Sequence, residues 1–133
     1  MCHLKERLKR MNKKKEIKQG EVWMCQLPEG EDSEQFGVRP CLCISADVRN
    51  ESSPNVFVFP ITHARKKEQP CHYVLYKTNY PFFTYEANTV MCEEGRSISK
   101  NRLDRRLGMI FAKDIIEILK CKEYVFIEKN HRD

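Results

Sequence analysis

Arg39, Thr62 and the adjacent Arg96 and Ser97 are the side chains whose types and placement could do chemistry. Each stands at the end of an apolar run: "VRPCLCIS" carries Arg39 at its mouth, "VFVFPIT" ends on Thr62, and "RSIS" opens on Arg96 and Ser97. Pro40 has no N–H and drives the residue before it toward extended backbone, so Arg39 enters a strand from a loop. A rigid scaffold aims side chains at such junctions. If consecutive strands pair as antiparallel neighbours, the start of the Arg39 strand lies beside the end of the Thr62 strand. A permanently charged guanidinium beside a hydroxyl is a cradle for a phosphate, because its planar fork makes two charge-assisted hydrogen bonds and the hydroxyl adds a third. In RNA the attacking group can be the 2'-OH next to the scissile phosphate. The protein then needs only to align that attack and stabilise the charge on the phosphorane, with no metal. Residue types alone leave the plainer readings open: a surface cation at a strand end for Arg39, and a β-favouring strand residue for Thr62.

Other chemistries find little support. There is no nucleophile elbow, P-loop, dinucleotide fingerprint or His-Glu-x-x-His. Seven cysteines invite a disulfide or metal reading, but their number is odd and no C-x-x-C occurs. Cys41 and Cys43, two apart in a strand, share a face, and buried reduced thiols acting as small hydrophobes account for the set. His63 and His72 lie in no ligand-spaced cluster, so we expect no metal and no cofactor. The net charge of +5 comes from the N-terminus: residues 1 to 18 hold eight Lys/Arg against two Asp/Glu, and the remainder sixteen against seventeen. The body of the chain must therefore meet an anionic partner through local clusters, of which 65–67 and 96–106 are the candidates. No apolar stretch reaches the roughly 20 residues of a membrane span and no signal-type segment follows the first charges, so we expect a soluble, cytoplasmic protein.

The elements that must position these residues follow from periodicity. Leu4, Leu8 and Met11 recur at helical spacing among cations, which predicts a basic N-terminal arm or helix over 1–16. Strands are expected over 21–27, 41–46, 56–62, 71–76 and 87–94, with a short one at 95–103 passing into a helical turn. Pro60 predicts an edge position or a bulge. Phe111, Ile115, Ile118, Leu119 and Lys122 lie near one face of a C-terminal amphipathic helix. Five or six short strands closed by one helix in 133 residues predict a single domain, all-β with helical additions, built as a small antiparallel barrel.

"QGEVWMCQLPEG", "EQFGVRPCLCIS", "SSPNVFVFPITHA" and "CEEGRSISKNRL", in this order, resemble the MazF/PemK family of toxin endoribonucleases over roughly residues 17 to 110. The resemblance implies an SH3-like barrel, with 17–133 as the toxin domain, and a homodimer. It implies metal-independent, sequence-specific cleavage of single-stranded RNA to a 2',3'-cyclic phosphate and a 5'-hydroxyl, and a cognate antitoxin that blocks the RNA groove. The family's catalytic arginine and threonine fall on Arg39 and Thr62. Ser33, Glu34 and Gln35 match a loop that flanks the RNA, Arg96 and Ser97 match an arginine-threonine pair of a later motif, and Phe36 and Arg65 complete the expected substrate contacts. Phe36 replaces a frequent glycine, Glu94 a frequent glutamine and Gly95 an apolar residue. Glu34 and His63 are the candidates to take the 2'-OH proton, with His63 expected on the face opposite Thr62. Two rival functions on the same barrel are a non-catalytic RNA-binding module and a toxin directed at DNA gyrase.

Overall fold

The computed structural model describes residues 15–29, 37–64 and 68–128. The expected contacts Ser33, Glu34, Gln35, Phe36 and Arg65, and nearly all of the basic arm, lie outside the described residues. Among the described residues seven strands form one sheet: β1 (Glu21–Leu27), β2 (Gly37–Cys43), β3 (Asn55–Thr62), β4 (His72–Tyr76), β5 (Ala87–Met91), β6 (Arg96–Ser99) and β7 (Leu103–Met109). Their order is β4-β5-β3-β2-β1-β7, with β6 also on β3, and every pairing is antiparallel. Among the described residues β4 does not pair with β7. The reading of an all-β fold with helical additions holds, and these pairings do not close the sheet. Helices α1 (Asp47–Ser52) and α2 (Ala112–Glu123) complete the fold, and no described helix is long and apolar enough to cross a membrane.

Strand alternation puts a core on each face of the sheet. Leu42, Phe59, Ile61, Leu75, Val90 and Ile118 of α2 pack together on one face; Trp23, Cys41, Cys43, Val56, Val58 and Leu103 pack on the other. Cys41 and Cys43 thus share a face as expected, and Cys25, Cys41, Cys43, Cys71 and Cys92 are buried free thiols. Burial pushes the Cys43 thiol up to about 11, so it packs as a neutral group.

Three elements differ from the sequence reading. The strand expected at 41–46 begins at Gly37 and ends at Cys43, after which Ile44 turns into the core. The segment expected as a turn contains α1, held by buried Asn50, whose side chain donates to the Ser45 carbonyl (2.9 Å) and accepts from the Ser45 hydroxyl (2.6 Å). β7 was not expected because "LDRRLGM" hides its period behind Asp104, Arg105 and Arg106, which stay exposed on an edge strand. Pro60 lies inside the sheet and not on its edge. It falls in the gap where β3 passes from β6 (Asn55 to Val58) to β5 (Ile61, Thr62), so the missing N–H interrupts neither ladder.

Candidate active site

The register brings Arg39 and Thr62 together. β2 pairs with β3 through Cys41↔Pro60, Leu42↔Phe59 and Cys43↔Val58, and extending that register by two residues sets Arg39 opposite Thr62. Directly opposed residues of an antiparallel pair share a face. Both line one cavity of about 550 Å³ together with His63, Tyr85, Asn88 and Arg105. Arg39 is half-buried at the start of β2, backed by the pairing of its backbone with Cys25 of β1.

Thr62 is held in place at the end of β3. It is 6% exposed, pairs with Thr89 of β5, and its Oγ1 accepts the Ala64 N–H at 3.2 Å. A hydroxyl that accepts in this way still has its own hydrogen to donate. His63 corrects the expectation of an opposite face: β3 ends at Thr62, alternation stops there, and His63 turns into the same cavity. Its ring stacks on Tyr85 with centroids 3.7 Å apart and planes 8° from parallel. An exposed flat face thus stands beside the Arg39 and Thr62 pair, next to a second cation, Arg105.

The aromatic stretch 79–85 is the wall of this cavity. Tyr80 and Phe83 are buried, Phe82 and Phe83 line the cavity with Tyr85, and a Cβ at Gly108 would come within 2.4 Å of the Phe82 ring. Only a glycine in β7 lets that ring seat.

Arg96 and Ser97 do not line the cavity. Arg96 opposes Val58, and its guanidinium lies 3.8 Å from the Glu94 carboxylate; exposed Ser97 opposes Phe57. Arg96 and Arg39 nonetheless converge electrostatically, because both act on the buried Cys41 thiol. A hydrogen bond with Cys25, and then burial, outweigh them and hold that thiol well above its ordinary range. Cys41 is therefore a neutral packing group and no nucleophile. The glycine at 95 has a packing reason. A Cβ there would come within 2.8 Å of the Phe57 and Phe59 rings, which meet edge to face at 5.9 Å.

Tyr85, Asn88 and Arg105 were not singled out from sequence. Arg105 had a signal, being inside the cationic stretch 96–106; Asn88 had none, as its position depends on its side chain bonding the Tyr85 and Leu75 carbonyls (2.9 and 3.3 Å). A cavity of about 660 Å³ between residues 15–18, α1 and 99–101 contains none of these groups.

The family of the PemK-like, MazF-like toxin of type II toxin-antitoxin systems matches residues 18–126. The chain belongs to this family. Endoribonuclease MazF of Staphylococcus epidermidis is 32% identical over 103 residues, 77% of this chain and 84% of that protein. In fold, the chain is similar to MazF of Deinococcus radiodurans (TM-score 0.69, 20% identity, 82% of this chain and 94% of that one). It is also similar to an endoribonuclease from a mycobacterial species solved with its cognate antitoxin (TM-score 0.65, 18% identity, 82% and 93%). The family match spans β1 to α2 and includes Arg39, Thr62, Arg96 and Ser97.

Proposed function

We propose that this toxin is a metal-independent endoribonuclease that cuts single-stranded RNA at short sequences by activating the substrate's own 2'-OH. The observation that carries the reading is the shared cavity of Arg39 and Thr62, a fixed guanidinium and a fixed hydroxyl on one face. The 2'-OH gives up its proton, an O2'–P bond forms, the P–O5' bond breaks, and the 5'-oxygen leaves as a hydroxyl after gaining a proton. The products are a 2',3'-cyclic phosphate and a 5'-OH. Arg39 stabilises the extra charge of the phosphorane with two N–H donors, and Thr62 orients the phosphate through its hydroxyl hydrogen.

His63 supplies the imidazole among the described cavity residues and is the candidate there to take the 2'-OH proton. Its stacking on Tyr85 also offers an unpaired base a flat surface, and Arg105 supplies backbone attraction. Arg96 and Ser97, one strand away, together with Ser33, Glu34, Gln35, Phe36 and Arg65, extend this reading along the RNA. A cognate antitoxin that blocks the RNA groove belongs to the reading; the mycobacterial endoribonuclease of this fold forms a complex with its own cognate antitoxin. A homodimer also belongs to the reading: Ile116, Tyr124, Phe126 and Ile127 are at least half exposed, an apolar surface for a second copy. Sedimentation at micromolar concentration reads that state.

The test is a mixed-sequence labelled RNA incubated without added divalent cations, with fragment ends identified. Cleavage at a short recurrent motif leaving cyclic phosphates is expected; fragments ending in 3'-OH would contradict the mechanism. Thr62→Val, which keeps the shape and removes the hydroxyl, is expected to lower kcat by roughly 100-fold with an unchanged circular dichroism spectrum. Wild-type turnover by Thr62→Val would assign Thr62 to the scaffold alone.

A further inference from the structure

The start of β4 and the turn after β5 assemble a donor set unrelated to the RNA cavity. Cys71 Sγ, His72 Nε2 and a Glu93 carboxylate oxygen all lie within 4.8 Å of one another. Both the thiol, at 3.4 Å, and the imidazole, in a short contact, converge on Glu93 Oε2. The backbone sets this up: the Cys92 N–H donates to the Cys71 carbonyl at 3.2 Å, His72 pairs with Met91, and the 3-10 turn Cys92–Glu94 then carries Glu93 back over Cys71. The His72 side chain is 6% exposed and that of Glu93 30%, so the set is held from within and open on one side.

We propose that Cys71, His72 and Glu93 form a zinc site, with a solvent molecule in the fourth position. Mixed sulfur, nitrogen and oxygen donors suit zinc, whereas magnesium and calcium take oxygen. Tetrahedral zinc would need its ligand atoms roughly 3.5 Å apart, so the short His72–Glu93 contact must open by about an ångström to admit the ion, while the Cys71–Glu93 spacing of 3.4 Å already suits it. Binding releases the Cys71 thiol proton, whose hydrogen bond Glu93 now accepts, to solvent, and takes the His72 imidazole in the neutral form with its hydrogen on Nδ1. Cys121 directs its thiol to the His72 carbonyl at 3.9 Å and Cys92 to the Ile118 carbonyl at 3.8 Å, leaving the fourth position to solvent. None of the three ligands lines the cavity of Arg39 and Thr62, so the ion takes no part in cleavage. It would staple β4 to the turn whose next residue, Glu94, holds Arg96.

The test uses the full chain under a phosphine reductant, loaded with zinc, desalted and assayed for metal. Cobalt(II) substitution reads the ligands through the thiolate-to-cobalt charge-transfer band. One zinc per chain, that band, and a zinc-dependent rise in Tm are expected. Glu93→Gln, His72→Gln and Cys71→Ser should each weaken zinc binding by roughly 100-fold or more, since even outer-shell changes at metal sites cost 10- to 100-fold. Cys2→Ser should retain it. Retention by the wild type of no zinc, or of equal zinc by wild type and Glu93→Gln, would overturn the site. Glu93→Gln decides the matter if Cys71→Ser fails to fold, because the Glu93 side chain is partly exposed and the change keeps its shape.

Discussion

Replacing Arg39 by alanine is expected to lower kcat for RNA cleavage by about 10³-fold, at the upper end of what a single charge-stabilising donor contributes. The loss should fall on kcat far more than on KM, because the guanidinium gains most when the phosphorane acquires its extra charge. Arg39→Lys should recover only part of the rate, since an ammonium is a point charge without the planar fork. Folding should survive both changes. The strand is held by the Cys41, Leu42 and Cys43 pairings with β3 and by the buried side chains of those residues. A thermal melt beside the kinetic assay separates the two effects. An unfolded Arg39→Ala protein would make Arg39 a structural residue.

The largest stability effect is expected at Asp114. In the first turn of α2 its carboxylate accepts the Tyr73 hydroxyl at 2.5 Å and the buried Tyr80 hydroxyl, while Tyr80 itself accepts the Phe111 N–H at 3.1 Å. One carboxylate thus ties α2 to β4 and to the aromatic wall of the cavity. Its position at a helix N-terminus adds a favourable dipole interaction. Asp114→Ala removes two charge-assisted hydrogen bonds and strands two hydroxyls, at a cost of about 3 kcal/mol; urea unfolding measures it. The pH dependence follows in sign. Burial and the Asp114 carboxylate push Tyr80 up to about 12 and Tyr73 upward as well. The folded state keeps these protons after unfolded tyrosine, near 10, has lost them. Wild-type stability therefore falls as pH rises from 10 towards 12, and Asp114→Ala should flatten that slope. An identical slope in the variant would remove Asp114 as the cause.

Arg39 and Thr62 were legible because local rules place them. Pro40 forces the strand entry, and the pairing of sequential strands needs no long-range information. The strand end at Thr62 was legible too, but its consequence for His63 was not, because alternation was carried one residue past the last ladder pair. β7 was hidden by Asp104, Arg105 and Arg106, since an edge strand with an exposed face can carry charge where periodicity expects apolar residues. The cluster of Cys71, His72 and Glu93 escaped for a different reason. Its donors are two neighbours and a residue from a distant 3-10 turn, a spacing that no linear motif describes and that only the β4 and β5 pairing assembles. Gly95 reads as a departure in sequence and Gly108 carried no signal, whereas in the fold a Cβ at either would meet an aromatic ring.

In the proposed reaction the substrate supplies its own nucleophile at Arg39 and Thr62. An RNA with a single 2'-deoxy substitution on the 5' side of the scissile phosphate tests it most directly. This one bond should become uncleavable while the substituted RNA still binds and competes with the unmodified strand. Cleavage of the substituted bond at the normal rate would contradict it.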